Sequence, residues 1–257
     1  MTESIARPWR GSVPLNPRTA LGDLIARVFS PPFSKILRPA FDAGAAAAIP
    51  WYLSGGIAAA NCIAAYDAKN AASQAASYKN LANPGTYDLT TAKAPSWSAG
   101  TGWTNALYGA QYLNTGIYAG QHWTMIVRFS DGTADSKNLC GTVTTIGKWF
   151  TISPNYGGSA RLYAGGGYII VFTSKIDTGT MAISGHQGYL NGVADGAPCS
   201  DYTGDPEWML FIGAMSTTNN TLSYGTSFIG SIQAAAIYNI SLSSTVIGLL
   251  TTAMATL

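Results

Sequence analysis

The chain has 257 residues, of which 47% are apolar and only 10% are charged, and its formal net charge is +2. This length suits one large all-β domain with an extension, and the weak net charge argues against a nucleic-acid-binding protein. So few charges leave two interpretations open: a surface rich in Ser, Thr, Asn and Gly, or a surface covered by partner subunits.

Residues 1–50 differ from the rest of the chain and predict an extended arm with one helix. Asn16 can cap a helix that begins at Pro17, and apolar residues then recur at helical spacing, which predicts a helix over about 17–29. The apolar positions of the arm are Leu21, Leu24, Ile25, Val28, Phe29, Phe33, Ile36 and Leu37. This stripe could pack on the following domain or on another chain, and in the second case the segment is a docking arm.

From Trp51 onward the pattern predicts short strands separated by Gly, Asn, Asp and Pro. Alternation places Trp123, Met125, Val127 and Phe129 on one buried face. In residues 228–238, both alternating sets of side chains include apolar residues. Phe228 and Ile232 lie on one face and Ile229 and Ile237 on the other, which predicts a bulge or burial on both sides. The predicted strands are 61–67, 76–81, 102–107, 111–116, 122–130, 138–144, 148–153, 160–164, 167–173, 180–185, 187–194, 208–214 and 227–239.

Three stretches resemble the laminin-G and pentraxin type of concanavalin A-like domain. They are the C-terminal run from Ser227 through Asn239 to Leu250, the segment Gly188–Gly192, and Cys62–Asp67 with Gln111–Gly116. The resemblance implies an antiparallel β-sandwich, or jelly roll, over residues 51–257, closed by a short helix near Ser243. That fold hosts lectins, glycanases, adhesion modules and structural shells, so it leaves the function open.

The sequence predicts no enzyme, because the residues for glycoside or acyl chemistry are scarce. Sandwich glucanases carry Glu-x-Asp-x-x-Glu on one strand, and this motif is absent from the sequence. The acidic pair Asp205 and Glu207 surrounds Pro206, which indicates a turn. His122 and His186 are the two histidines of the chain, and a Gly-x-Ser-x-Gly motif does not occur.

The resemblance implies calcium as the one cofactor to consider, because calcium is the usual ion of this family. The candidate ligands are Asp131, Asp135, Asp201 and Asp205, which lie in two acidic loops. Ordinary turns explain the same residues, since Asp favours turns through its own side chain. No other cofactor is expected.

Sugar binding would use exposed aromatic rings beside polar groups. Tyr156, Tyr163 and Tyr168 lie among glycines that would leave their faces open. The alternative is a hairpin in which the glycines supply positive φ angles and the tyrosines pack at a sheet edge.

The cysteines Cys62, Cys140 and Cys199 fit no zinc motif, and their odd number leaves at least one free or paired between chains. Buried thiols are the simpler interpretation, and an intermolecular disulfide is the alternative.

Two functions follow as hypotheses. The first is a non-enzymatic structural or attachment protein of a bacteriophage particle, such as a capsid decoration, collar or fibre component, which forms homo-oligomers and docks on other virion proteins through its arm. No secretory signal is visible and the Ala-rich run before Pro50 is too short to span a membrane, so we expect a product of the host cytoplasm that is carried in the virion. The alternative is a lectin-like module that recognises a cell-surface polysaccharide.

Overall fold

The structure is a computed structural model that describes residues 48–257 except 107–109, 134–136, 144–147, 157–158, 167, 200–204, 206 and 224–226. The strands are β1 Cys62–Asp67, β2 Ser96–Ser98, β3 Gly102–Asn105, β4 Leu113–Tyr118, β5 Thr124–Ser130, β6 Cys140–Val143, β7 Lys148–Tyr156, β8 Ser159–Gly166, β9 Tyr168–Val171, β10 Gly179–Ser184, β11 Gln187–Leu190, β12 Val193–Ala194, β13 Met209–Ile212, β14 Ser216–Thr217, β15 Thr221–Leu222 and β16 Gly230–Tyr238. The helices are α1 Gln74–Ser77 and α2 Ser244–Ala255, and 3₁₀ turns span Trp51–Leu53, Ala59–Asn61 and Thr218–Asn220.

Sheet A is built around strand β16. Its order is β12-β11-β10-β5-β16-β3-β2, and β1 also pairs with β16. The first part of β16 pairs with β3, whereas its second part, from Ala234 to Tyr238, pairs with β1. Strand β5 runs along the opposite edge of β16 over its whole length. The strand that comes last in the chain therefore holds together segments from both ends of the domain.

Sheet B lies opposite sheet A and contains β15-β14-β6-β7-β8-β9, with β13 joining β6 to β4. All of its strand pairs are antiparallel except a short parallel contact between β14 and β6. The fold is thus the all-β antiparallel sandwich that the sequence predicts.

The main core fills the space between the two sheets. Met125, Val127 and Phe129 of β5 are fully buried there, and Trp123 packs against them, which confirms the face predicted from alternation. Phe150 and Ile152 of β7 face them from sheet B. Alternate residues of each strand meet in this way because successive side chains point to opposite faces.

A second core lies on the other face of sheet A, under helix α2. Ile247, Leu250 and Met254 of the helix are buried against Ile126 and Tyr238 of the sheet. Their spacing gives the helix one apolar side. The helix begins where the sequence predicts, with the Ser243 hydroxyl accepting a hydrogen bond from the Val246 N–H at 3.4 Å. Sheet A is therefore covered on both faces.

A bulge in β16 corrects one predicted feature. The register shifts between Ile232 and Ala234, so Ile232 and Ile237 both enter the core between the sheets. The sequence pattern predicts Ile237 on the opposite face from Ile232, and this prediction is wrong because the bulge adds one residue and inverts the phase. The predicted bulge and the burial on both sides are confirmed.

The strand predicted over 76–81 is also wrong. Residues Gln74–Ser77 form helix α1, whose first turn is capped by the Ser73 hydroxyl accepting from the Ala76 N–H at 3.1 Å. The Ser77 hydroxyl then accepts the indole N–H of Trp103 at 2.8 Å, which ties this short helix to the core. Among the described residues, no helix has the length and apolar character needed to cross a membrane.

Candidate functional site

The edge of sheet B contains a wide bulge in β4. Asn114 lies opposite Phe211 and Tyr118 lies opposite Met209, so four steps along β4 match two steps along β13. Gly116 sits within the bulge with a φ of +69°, a value that favours glycine. Bulges of this kind redirect side chains and occur often beside functional sites.

Two side chains fix the backbone of this bulge. The Thr115 hydroxyl donates to the Leu210 carbonyl at 2.8 Å and accepts from the Ile117 N–H at 3.1 Å. The Oδ1 of Asn114 accepts from the Gly116 N–H at 2.9 Å. These hydrogen bonds therefore satisfy backbone groups that the bulge leaves without partners in the sheet.

Two exposed tyrosine rings lie at the bulge. The side chain of Tyr118 is 52% exposed and that of Tyr87 is 42% exposed. A Cβ placed on Gly116 would lie 3.7 Å from Cδ1 of Tyr87, so this ring packs over the glycine. We call Tyr87, Asn114, Gly116 and Tyr118 the bulge site.

The loop that carries Tyr87 is held by buried hydrogen bonds. The Tyr66 hydroxyl donates to the Tyr87 carbonyl at 2.6 Å, and Tyr87 has a φ of +57°, which is rare for a bulky residue. Asn80 is buried, and its Nδ2 donates to the Ile63 and Thr86 carbonyls at 3.0 and 2.8 Å. A strained backbone persists only where its surroundings fix it, and such strain clusters at ligand sites.

A stacked aromatic pair and a backbone bridge lie beside the bulge site. The rings of Tyr112 and Phe211 stack with their centroids 4.4 Å apart and their planes at 17°. Thr90 exchanges two backbone hydrogen bonds with Asn114, at 2.7 and 3.0 Å, which adds a bridge at this edge of the sheet. The Nδ2 of Asn114 has no hydrogen-bond partner among the described residues, so it is available to a ligand.

The three tyrosines predicted to bind sugar lie elsewhere in sheet B. Tyr156 ends β7, Tyr163 pairs with Thr151, and Tyr168 pairs with Ala164. Tyr163 and Ala164 are neighbours in the strand, so the positions of Tyr163 and Tyr168 have opposite phase in the sheet. A sugar site at these tyrosines stays a prediction.

The described part of the acidic loops is used in structural hydrogen bonds. Asp131 accepts from the Ser130 hydroxyl at 2.8 Å, and Asp205 accepts from the Gln121 N–H at 2.8 Å. Asp135 and Asp201 lie outside the described residues. Within the described ranges, no group of three or more His, Cys, Asp and Glu side chains is arranged to hold a metal ion, and a calcium site at the four aspartates stays a prediction.

The remaining residues weighed for catalysis also have structural partners. Glu207 pairs with Lys148 at 3.6 Å across the ends of two strands. His122 and His186 approach each other with ring centroids 5.3 Å apart, and the Ser241 hydroxyl donates to the His122 carbonyl at 2.7 Å.

The cysteines are free thiols. Cys62 and Cys140 are buried and Cys199 is half-buried. Burial raises the pKa of Cys62 to about 12 and also raises the pKa of Cys140. Such thiols remain protonated at neutral pH and behave as small apolar groups.

The predicted arm, with helix 17–29 and its apolar positions, lies outside the described residues. Leu21, Leu24, Ile25, Val28, Phe29, Phe33, Ile36 and Leu37 therefore stay predictions. The sequence does not predict the exposed tyrosines of the bulge site. Tyr87 lies in a loop, and no local pattern shows which strand it will pack against. The segment Gln111–Gly116 was informative for the fold, and it also forms most of the bulge.

A scan against protein-family models finds no match, and no curated protein matches the sequence. Solved structures share the fold at low identity. The sialidase of Trypanosoma rangeli, solved as a covalent intermediate with 2,3-difluorosialic acid, is 13% identical with a TM-score of 0.52. A mutant of this sialidase displaying trans-sialidase activity gives the same identity of 13% and the same TM-score of 0.52. At this identity the likeness establishes the fold alone.

The matches differ in how much of each protein they cover. The match to the sialidase intermediate covers 80% of this chain and 35% of the sialidase, and that to the mutant covers 77% and 34%. Domain 4 of the arabinanase AbnA from Geobacillus stearothermophilus, solved with arabinotriose, is 17% identical with a TM-score of 0.46. That match covers 74% of this chain and 98% of the domain. The chain thus spans about a third of the sialidase and nearly all of the arabinanase domain.

Proposed function

We propose that the sandwich is a non-catalytic carbohydrate-binding module and that the bulge site is its saccharide platform. One observation carries the proposal: the exposed ring of Tyr87 packs over Gly116, while Asn114 and the exposed Tyr118 lie two residues to either side of that glycine, on a backbone held by internal hydrogen bonds. Binding to a preformed surface avoids the cost of ordering it, so even a small site can hold a ligand.

The chemistry of the site suits a sugar ring. The faces of tyrosine rings carry partial negative charge, and the C–H groups on the apolar face of a sugar carry partial positive charge. The Nδ2 of Asn114 and the two phenolic hydroxyls can then exchange hydrogen bonds with sugar hydroxyls. Apolar faces with a few convergent polar groups are the usual composition of small-ligand sites.

The absence of catalysis is part of the proposal. Glycoside hydrolysis requires two carboxyl groups on either side of the scissile bond. Asp205 is bonded to the Gln121 backbone, and Glu207 is paired with Lys148. We therefore expect no release of reducing sugar when the protein is incubated with a saccharide that it binds.

The fold supports the same class of ligand without assigning a site. The Trypanosoma rangeli sialidase was solved with a sialic acid derivative, and this chain shares its fold over about a third of that protein. Saccharides are thus the ligands to test first.

The test uses the full chain on an array of neutral and acidic oligosaccharides, followed by calorimetric titration with each saccharide that binds. We expect Tyr118→Ala and Tyr87→Ala each to weaken binding by about tenfold or more, because each substitution removes a stacking surface, and stacking of a nucleic-acid base on one aromatic ring is worth roughly 1–3 kcal/mol. Tyr118→Phe keeps the ring face and should retain most of the affinity.

The matched control is Leu249→Ala, because this side chain is 48% exposed on helix α2, away from sheet B. It should leave saccharide binding unchanged. If no saccharide binds, or if binding is the same in the Tyr87 and Tyr118 variants as in the control, the bulge site is not a carbohydrate platform.

The role in a bacteriophage particle stays a separate prediction of the sequence, together with the closer resemblance to laminin-G domains. Its support is the apolar stripe of the arm from Leu21 to Leu37. The two roles are compatible, because an attachment protein can carry a glycan-binding sandwich. Deleting residues 1–42 should leave a folded sandwich that binds saccharide but no longer joins its parent particle.

A further inference from the structure

We infer that His122 and His186 together bind one Zn²⁺ ion at an end of sheet A, in a site that uses none of the residues of the bulge site. These are the two histidines of the chain, and the fold brings their rings together from distant parts of the sequence. The ring centroids lie 5.3 Å apart, and the ring planes meet at 52°. Imidazole nitrogens are common zinc ligands, and two neighbouring rings can share one ion.

The two histidines meet because β5 and β10 are antiparallel neighbours. The last pair of this ladder is Thr124 with Ser184. The pairing continues one step beyond the strands, where the Gly185 N–H donates to the Trp123 carbonyl at 3.0 Å. The histidines are the next residue along each of the two segments. Side chains that face each other across an antiparallel pair are close enough to interact, which explains the contact between the rings.

The spacing of the rings suits tetrahedral zinc. Because Zn–N bonds are about 2.0–2.1 Å long, the centre of each coordinated ring lies roughly 3.2 Å from the ion. Two such rings at the tetrahedral angle have their centres about 5.2 Å apart, whereas at the right angle of a square-planar site they would be about 4.5 Å apart. The observed 5.3 Å fits the tetrahedral arrangement. His122 is exposed, so its ring can turn about its side-chain bonds to direct a nitrogen at the ion.

Hydrogen bonds hold the backbone of both histidines in place. The Ser241 hydroxyl donates to the His122 carbonyl at 2.7 Å, and the Cys199 N–H donates to the His186 carbonyl at 3.0 Å. A Cβ on Gly185 would lie 2.7 Å from the Ser241 Oγ, so the same serine also packs against the turn that carries His186. Ligands that are already positioned reduce the ordering cost of binding an ion.

A thiol and a carboxylate lie near the two rings in structural roles. The Cys199 thiol donates to the His186 carbonyl at 3.5 Å, and Asp205 accepts from the N–H of Gln121, the residue before His122, at 2.8 Å. The proposed site therefore uses the two imidazoles, and water fills the other two positions of the ion. Such a site exchanges its metal more readily than a structural zinc site with four protein ligands.

The experiment is a calorimetric titration of the full chain, without a histidine tag, with Zn²⁺ alone. We expect one ion to bind per chain. His122→Gln and His186→Gln should each weaken binding by at least about tenfold, because each removes one of the two protein ligands. Co²⁺ replaces zinc as a spectroscopic probe, and the strong visible absorption of tetrahedral cobalt should appear in the unmodified chain and be lost in both variants. Metal-free urea unfolding checks that each variant is folded, and the exposed position of His122 makes its variant the safer of the two.

Cys199→Ser is the matched control, because serine keeps a donor beside the His186 carbonyl but removes the thiol. It should bind zinc as the unmodified chain does. In an NMR titration the imidazole signals of both histidines should shift together and stop changing at one equivalent of zinc.

The inference would be overturned by an absence of zinc binding, by binding that is unchanged in His122→Gln, or by binding that is lost only in Cys199→Ser. A zinc-dependent dimer in light scattering would also overturn it, since the ion would then join histidines of two chains. None of these outcomes bears on saccharide binding at the bulge site.

Discussion

The guanidinium of Arg128 donates a hydrogen bond to the carbonyl of Met254, so a cation from the centre of sheet A lies at the C-terminal end of helix α2. The carbonyls at this end of a helix have no partner within the helix and carry partial negative charge. A neighbouring bond from Lys69 Nζ to the Leu257 carbonyl, at 2.7 Å, adds a second cation. The closing helix is thus tied to the sheet by charge as well as by its apolar side.

Arg128→Met should lower the free energy of unfolding by about 2 kcal/mol, because it removes hydrogen bonds from a charged donor to Met254 and Gln233. Urea unfolding followed by fluorescence measures the change. The control is Lys79→Met, which breaks a pair whose lysine is 65% exposed and should cost less than about 1 kcal/mol. Equal losses in the two variants would mean that the bond to the helix end adds nothing to stability.

Thr115→Val should both destabilise the fold and weaken saccharide binding. The substitution keeps the shape of the side chain but leaves the Leu210 carbonyl and the Ile117 N–H without their partner, at a cost of about 1–3 kcal/mol. Calorimetric binding and urea unfolding are measured on the same preparation. Thr252→Val on the exposed side of α2 is the control and should change neither quantity appreciably. If the Thr115→Val variant is less stable but binds saccharide as tightly as the unmodified chain, the bulge is not part of the saccharide site.

Gly192→Ala should cost more stability than Gly56→Ala, although both glycines have similar positive φ angles of +81° and +77°. A Cβ at Gly192 would lie 3.0 Å from the Cα of Gly248 in helix α2, whereas nothing lies within 4 Å of a Cβ at Gly56. The backbone conformation alone costs about 1–2 kcal/mol, and crowding against the helix adds about 1–3 kcal/mol. Thermal unfolding of the two variants compares these contributions, and equal shifts would contradict the close contact with the helix.

Stability should fall at alkaline pH because buried acids hold their protons more tightly in the folded state. The pKa of Cys62 rises from 9.0 to about 12 through burial, and burial also raises the pKa values of Tyr66, Tyr238 and Cys140. The unfolded chain releases these protons first, so the free energy of unfolding is unaffected below about pH 8 and decreases as pH rises from about 9 toward 12.

Urea unfolding between pH 8 and pH 11 measures this decrease. Each proton that the unfolded chain releases in excess makes the slope steeper by about 1.4 kcal/mol per pH unit. Cys62→Ala removes one such group and should flatten the slope. A slope that is the same in Cys62→Ala as in the unmodified chain would mean that this thiol ionises equally in both states.

Local alternation was sufficient to predict several strands and their buried faces. Met125, Val127 and Phe129 face the main core as expected, and Ser243 caps the closing helix as expected. These features depend on side chains that are close in sequence, where the repeat of the strand or helix decides which face is buried.

The errors arise where distant contacts decide the structure. Ile237 changed faces because of the bulge near Gln233, whose carbonyl accepts the N–H groups of Ala68 and Lys69 at 2.9 and 3.0 Å. Residues 76–81 read as a strand, but Ser77 bonds Trp103 from the end of a short helix. Local propensity carries no information about partners that lie tens or hundreds of residues away.

The bulge site could not be predicted for the same reason. Tyr87 reaches Gly116 because Tyr66 and Asn80 hold its loop against the strand, and none of these residues belongs to a recognisable motif. The Asn114 side chain belongs to a segment that the sequence marked as a strand of the fold, but its role in shaping the bulge depends on a mismatch with β13.

The central position of β16 has a consequence for how the protein is made. Residues 230–238 pair with β1, β3 and β5, so sheet A cannot be completed on the ribosome before this late segment has emerged from the exit tunnel. Until then the earlier strands expose unpaired edges and apolar faces, a condition that favours chaperone binding and aggregation. A stalled or prematurely terminated chain that ends before residue 230 should therefore aggregate or be cleared by proteolysis.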